Sequence, residues 1–177
     1  EKRKVGENDN EICKLIRNDS VEEFTKYITD NNISLNSKVN ESIFETNTIL
    51  TNKKASLIEY ASFFGSIKIF NFLHSHKASL TPSLWIYGVH GCNEEILNIL
   101  ESNNIKPEDE TYSKCFEEAI KSHHNDIAYY IGYTFLQVNS DIIIENNKFC
   151  HQYYNFMLFE NLLINKYVVK LVEFLKY

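Results

Sequence analysis

The sequence predicts an all-α chain built from one helix pair used about five times. Three observations carry this. Of the 177 residues, 44% are apolar but only five are Gly and two Pro, too few for the many tight turns of a sandwich or barrel. Asn, present 21 times, is left to make the turns. Short apolar segments with helical spacing recur in tandem, each followed by a tight break and a second, capped segment. A chain of this length suffices for one domain with a real core.

The first pair starts at Glu11 and reads EICKLIRNDSVEEFTKYI. Ser20 is its expected N-cap, and Glu23, three residues on, completes a capping box. The second, SLIEYASFFGSIKIFNFL from Ser56, breaks at Gly65, and Ser66 is expected to cap its second helix. The third, SLWIYGVHGCNEEILNIL from Ser83, has Gly88 where Ala61 stood and Asn93 where Ser66 stood. Thr81-Pro82 ahead of it suits an N-cap and first helical residue. The fourth, from Lys114, reads KCFEEAIKSHHNDIAYYI, and the fifth, from Leu158, reads LFENLLINKYVVKLVEFL. Cys92, His123, Asp19 and Tyr167 stand where the second pair has its break glycine. The starts are separated by 45, 27, 31 and 44 residues. Two insertions follow: 36–55, a polar finger or loop with room for one helical turn, and 136–157, a further helix or a long connection.

These residues resemble the ankyrin repeat, whose T-P-L-H-x-A opens the first helix and G-H-x-E-I-V-x-L-L the second. The resemblance rests on Ala61, Gly65, Lys68-Ile69-Phe70 and Phe72-Leu73, on Glu95-Ile96-Leu97 and Ile99-Leu100, and on Ala119 and Asp126-Ile127-Ala128. It covers residues 8 to 177. SLIEYASFFGSIKIF, TPSLWIYGVHG and AIKSHHNDIA look especially like the divergent ankyrin-like repeats of trichomonad protozoan proteins. The resemblance implies a single ankyrin-like α-solenoid over 1–177, with β-hairpin fingers shortened by the 27-residue spacing, near Ala78 to Pro82. In such an array, stability resides in the interfaces between neighbouring pairs. The C-terminal helix (Leu171, Phe174, Leu175, Tyr177) has no polar closing helix after it. The expectation is that the natural chain continues beyond 177 or self-associates through this end.

The net charge, 18 − 24 = −6, argues against a general nucleic-acid binder, which needs a basic face for phosphates. No apolar run approaches the roughly 18 residues of a membrane span. Cys13, Cys92, Cys115 and Cys150 fit no zinc spacing and read as reduced, mostly buried residues. The expected compartment is the cytoplasm. No cofactor and no metal are expected.

Candidate chemistry dissolves on inspection. His123-His124-Asn125-Asp126 sits at a helix break, where caps belong. His90-Gly91-Cys92 and Cys150-His151 lack the four ligands a zinc ion takes. Cys115 with His124 and Asn125 spells a nucleophile's residue types, but Cys115 begins an apolar helix. There is no G-x-S-x-G, P-loop or G-x-G-x-x-G. Most of Trp85, Tyr87, Tyr112, Tyr129, Tyr130, Tyr153 and Tyr154 are expected to supply bulk to a core poor in small residues, while any left exposed on the inner helices would suit a protein interface. The resemblance implies a non-enzymatic module that meets a protein partner on its concave face. It assigns Asn18, Phe63, His90 and Lys121 to that face, and the net charge suggests a partner with a basic or mixed patch. The alternative is a structural, self-assembling or targeting segment of a longer protein.

Overall fold

The computed structural model describes residues 6–136, 148–158 and 160. Its regular secondary structure is helical. Among the described residues no strand forms, only an antiparallel bridge between Lys38 and Ser56. The chain divides into two compact units, Glu1–Glu108 and Asp109–Tyr177.

The first unit holds α1 (Glu11–Arg17), α2 (Val21–Asp30), α3 (Thr48–Asn52), α4 (Leu57–Phe63), α5 (Ile67–Ser75), α6 (Leu84–His90) and α7 (Glu94–Ser102). α1–α2, α4–α5 and α6–α7 are the three helix pairs. The first helices pack in one row, α1 on α4 and α4 on α6. The second helices pack in another, α2 on α5 and α5 on α7. Between the rows lie Ile16, Phe24, Tyr60, Phe70, Leu73, Trp85 and Leu97, all essentially inaccessible. Each helix has seven to ten residues, too few to be stable alone in water, so this shared burial holds them.

The breaks within the three pairs are the same backbone device. Asp19, Gly65 and Cys92 have φ of 51°, 65° and 50°. In the first two, the paired bonds of a left-handed helix end close, Ser20 N–H to Leu15 O at 3.2 Å and Ser66 N–H to Ala61 O at 2.9 Å. The same end recurs after every second helix, at Asn32, Lys77 and Asn104. There Ile33, Ala78 and Ile105 donate back to Ile28, Leu73 and Leu100. Only one of these six left-handed positions is glycine.

Two expected caps are absent. Ser20 and Ser66 stand at N-cap positions but neither hydroxyl accepts a cap bond, and the box with Glu23 does not form. Their ψ angles are 80° and 75°, whereas a capping side chain needs extended backbone. Asn93, with ψ 106°, does cap, accepting from Glu95 N–H and Ile96 N–H. A capping box forms instead at Ser56 and Glu59, where ψ is 167°. Ser83 directly precedes α6, after a turn in which Leu84 and Trp85 donate to Thr81 O and Pro82 O. Thr81-Pro82 therefore opens the turn ahead of the helix.

Insertion 36–55 carries the short α3 and is pinned at both ends, Val39 N–H to Ala55 O at 2.8 Å and Leu57 N–H to Ser37 O at 3.0 Å. Buried Asn8 ties it to the N-terminal segment through Glu45 Oε2 and Asn40 O.

The second unit contains α8 (Ser113–Lys121) packed on α9 (Asn125–Thr134). His123 is the break, with φ 59°. Helical backbone follows at 148–152 and 156–158 around a further left-handed break at Tyr154. Asn155 N–H closes that break on Cys150 O at 2.8 Å. The fifth pair's expected break at Tyr167 and its C-terminal apolar helix lie outside the described residues.

Candidate functional site

Asn18, Phe63, His90 and Lys121 all fall at the ends of first helices. Phe63, His90 and Lys121 each stand two residues before a left-handed break. Asn18 is one residue out of step, and Arg17 holds the equivalent position. Asn18 and Lys121 are exposed and His90 is half-buried. Phe63 is 5% exposed, and the imidazole of His90 stacks on it at 4.0 Å between ring centres. Phe63 is therefore a core residue covered by His90. Lys121, in the second unit, pairs with Glu118 at 3.1 Å.

Arg17 works inward. Its guanidinium donates to Asn8 O at 2.8 Å and to the Tyr60 hydroxyl at 2.7 Å, and pairs with Glu7 at 2.9 Å. The Tyr60 phenol, buried beside Cys13, is pushed far above its ordinary pKa by that burial.

The breaks also tie neighbouring pairs together. Asp19 reaches forward to cap α5, accepting Lys68 N–H at 3.1 Å and Ile69 N–H at 2.9 Å. Asn93 donates from its amide to Gly65 O at 3.2 Å. In the second unit Asn155 does likewise, donating to Ile120 O at 3.0 Å.

A polar cleft of about 510 Å³ opens in the first unit between insertion 36–55 and the starts of α4 and α6. Its walls carry Lys38, Lys53, Lys54, Glu59, Tyr87 and Glu108. Glu59 is set by the turn chemistry around it. Ser56 donates to it through both N–H and hydroxyl, at 2.7 and 2.9 Å, and the hydroxyls of Thr81 and Ser83 donate from the next pair. Burial raises its pKa, but the Ser56 N–H and the hydroxyls of Ser83, Ser56 and Thr81 outweigh that and hold the carboxyl below the ordinary carboxylate value. Tyr87 is 3% exposed. Burial, then Glu59 and Glu108, pushes its phenol up to about 12, so it is a hydroxyl donor at neutral pH. Lys53 pairs with Glu108 at 3.3 Å and Lys54 with Glu41 at 3.2 Å.

The cleft is absent from the sequence reading. Ser56-x-x-Glu59 carries the capping-box signature, and Lys53-Lys54 is a basic pair in an insertion that also holds Lys38, Glu41 and Glu45. Nothing in the sequence announces that the two limbs of the insertion and the third pair converge on them.

Three of the four cysteines, Cys13, Cys115 and Cys150, are buried in packing. Cys115 is 1% exposed, and burial, then Asp109 and Glu118, pushes its thiol up to about 12. A thiol so protonated is a poor nucleophile. Burial likewise pushes Cys13 and Cys150 up to about 11. Cys92 is exposed. Among the described residues no group of three or more His, Cys, Asp or Glu is placed to hold a metal ion. No described helix is long and apolar enough to cross a membrane.

The fold and these surfaces define a class: an all-helical protein of repeated helix–break–helix pairs, with a polar cleft beside an inserted loop. No family model, curated protein or solved structure matches the chain.

Proposed function

We propose that this chain is a non-enzymatic protein-recognition module whose helix pairs form an ankyrin-like solenoid. The observation that carries the reading is the double row of the first unit, α1–α4–α6 beside α2–α5–α7, joined at each step by a side chain from a break. Such rows present a long, rigid surface at little entropic cost to binding. The first-helix ends carry the exposed Asn18 and the half-buried His90, and the buried state of the Cys115 thiol supports a reading without covalent chemistry. Recognition follows from fixed geometry: a partner that matches the row meets side chains already held in place.

A photo-crosslinking residue tests this. It is placed at Asn18 or His90 in the first-helix row, or at exposed Asn98 in the second-helix row. Incubation with extract from the source cell is expected to give a discrete protein adduct from the first row alone. Adducts of equal yield from Asn98, or none from any position, overturn the reading.

A further inference from the structure

We propose that the cleft between insertion 36–55 and the starts of α4 and α6 binds an acidic, extended segment of a partner protein, with the Lys38 ammonium and the Tyr87 hydroxyl as its principal donors. The proposal rests on the protein-recognition reading and sharpens it, because the net charge alone points to a partner with a basic or mixed patch. The cleft walls carry three lysines against two glutamates, a balance opposite in sign to that of the whole chain. The chain has six more acidic than basic residues, yet Lys38, Lys53 and Lys54 meet at this cleft.

The acids there are each already engaged. Both Glu59 oxygens already accept hydrogen bonds from Ser56, Thr81 and Ser83, so this carboxylate is internally satisfied. Glu108 is engaged with Lys53, and Glu41 with Lys54, in pairs whose side chains are 53–75% exposed. Exposed pairs of this kind contribute little, so an arriving carboxylate competes for either lysine. Lys38 has no ion-pair or hydrogen-bond partner among the described residues. Nor does the Tyr87 hydroxyl, although Tyr87 is almost wholly buried and reaches the cleft. A buried phenol of raised pKa without a protein acceptor is a fixed donor facing the cleft.

The arrangement suits a chain better than a lone anion. Lys38 stands on the outgoing limb of the insertion and Lys53-Lys54 on the returning limb, so the ammonium groups address several carboxylates spaced along an extended segment. The volume is within the range of sites that take small molecules, room for a few residues of a segment that runs on past it, and a few charge-assisted hydrogen bonds give such a segment both register and specificity.

The test is fluorescence anisotropy of a labelled hexaglutamate peptide titrated with the whole chain in about 50 mM salt, where surface charge is only partly screened. Saturable binding is expected. It should weaken about tenfold in Lys38→Gln, the scale of one charge-assisted hydrogen bond, and also in Tyr87→Phe, with unchanged circular dichroism. Lys26→Gln on α2 should bind as the parent does. Since Lys38 is exposed, its variant keeps the test valid should Tyr87→Phe unfold. No saturable binding, an equal loss in Lys26→Gln, preference for hexalysine, or complete displacement by about 5 mM inorganic phosphate overturns the proposal; the last would mark a simple anion site. Loss of hexaglutamate binding while crosslinks from Asn18 or His90 persist removes the cleft alone. Loss of both removes the recognition reading with it.

Discussion

Asp19 accepts a hydrogen bond from the backbone N–H of Ile69 at 2.9 Å, fifty positions further along the chain. The residue that ends one helix of the first pair thus caps a helix of the second, and Ser66, the residue placed to cap it locally, does not. The Ser66 hydroxyl is instead buried without a hydrogen-bond partner. Asp19→Ala is therefore expected to lower stability by about 1 kcal/mol, the usual worth of a cap, read as a shift in the urea midpoint. Asp19→Asn keeps an acceptor and tolerates the left-handed backbone, so it should lose much less. Ser66→Ala should be neutral or mildly stabilising; a loss equal to that of Asp19→Ala would show that Ser66 is the cap after all.

Glycine is required where two pairs touch. A Cβ on Gly91 would lie 2.1 Å from Ser62 O and 2.9 Å from Gly65 N, both backbone atoms that cannot swing aside. Gly91→Ala should cost about 2–3 kcal/mol, measured by thermal or urea unfolding.

The reverse is expected at Lys77, an exposed residue at φ 66° after α5. Lys77→Gly should raise stability by up to about 1 kcal/mol, because glycine takes left-handed backbone without a Cβ penalty. A fall in the melting temperature would refute the helix-end geometry there.

Thiol labelling separates the cysteines. With an aromatic disulfide reagent at pH 8, Cys92 should react rapidly in the native chain, whereas Cys13, Cys115 and Cys150 should react only on unfolding, since all three are buried with raised pKa. Fast native labelling of Cys115, located by mass spectrometry, would reopen the nucleophile reading.

Glu59 should make the chain acid-sensitive. Its folded pKa lies below the unfolded carboxylate value of roughly 4.3. Below that value the unfolded state therefore binds more protons than the folded one. The stabilisation is fully present above that value and is lost as pH falls through the lowered folded pKa. Glu59→Gln should be less stable than the parent at neutral pH and should show a flatter fall of stability in acid. Parallel profiles for the two chains would show that the hydroxyl cluster does not favour the ionised form.

Helices and breaks were legible because their causes are local. Apolar spacing marks the pairs, and Asp19, Gly65, Cys92 and His123 stand at the expected breaks with left-handed φ. The scarcity of glycine was legible too: Asn32 and Asn104 take left-handed positions, as the abundance of Asn suggests. Sequence register alone placed Asn18 where Arg17 stands, because a degenerate motif does not fix position to one residue. It also left Phe63 open to a partner, because only packing shows His90 lying over it.

What the sequence determined by itself, then, is an all-helical chain of short helices with breaks at stated residues, since apolar periodicity and backbone preference act within a few positions. Only the tertiary structure decided which residue caps α5, where glycine has no substitute, and that Lys38, Lys53 and Lys54 gather beside Tyr87. Those are contacts between groups about 20 to 50 positions apart, made by the stacking of one pair on the next. No local preference encodes a distance across that interface.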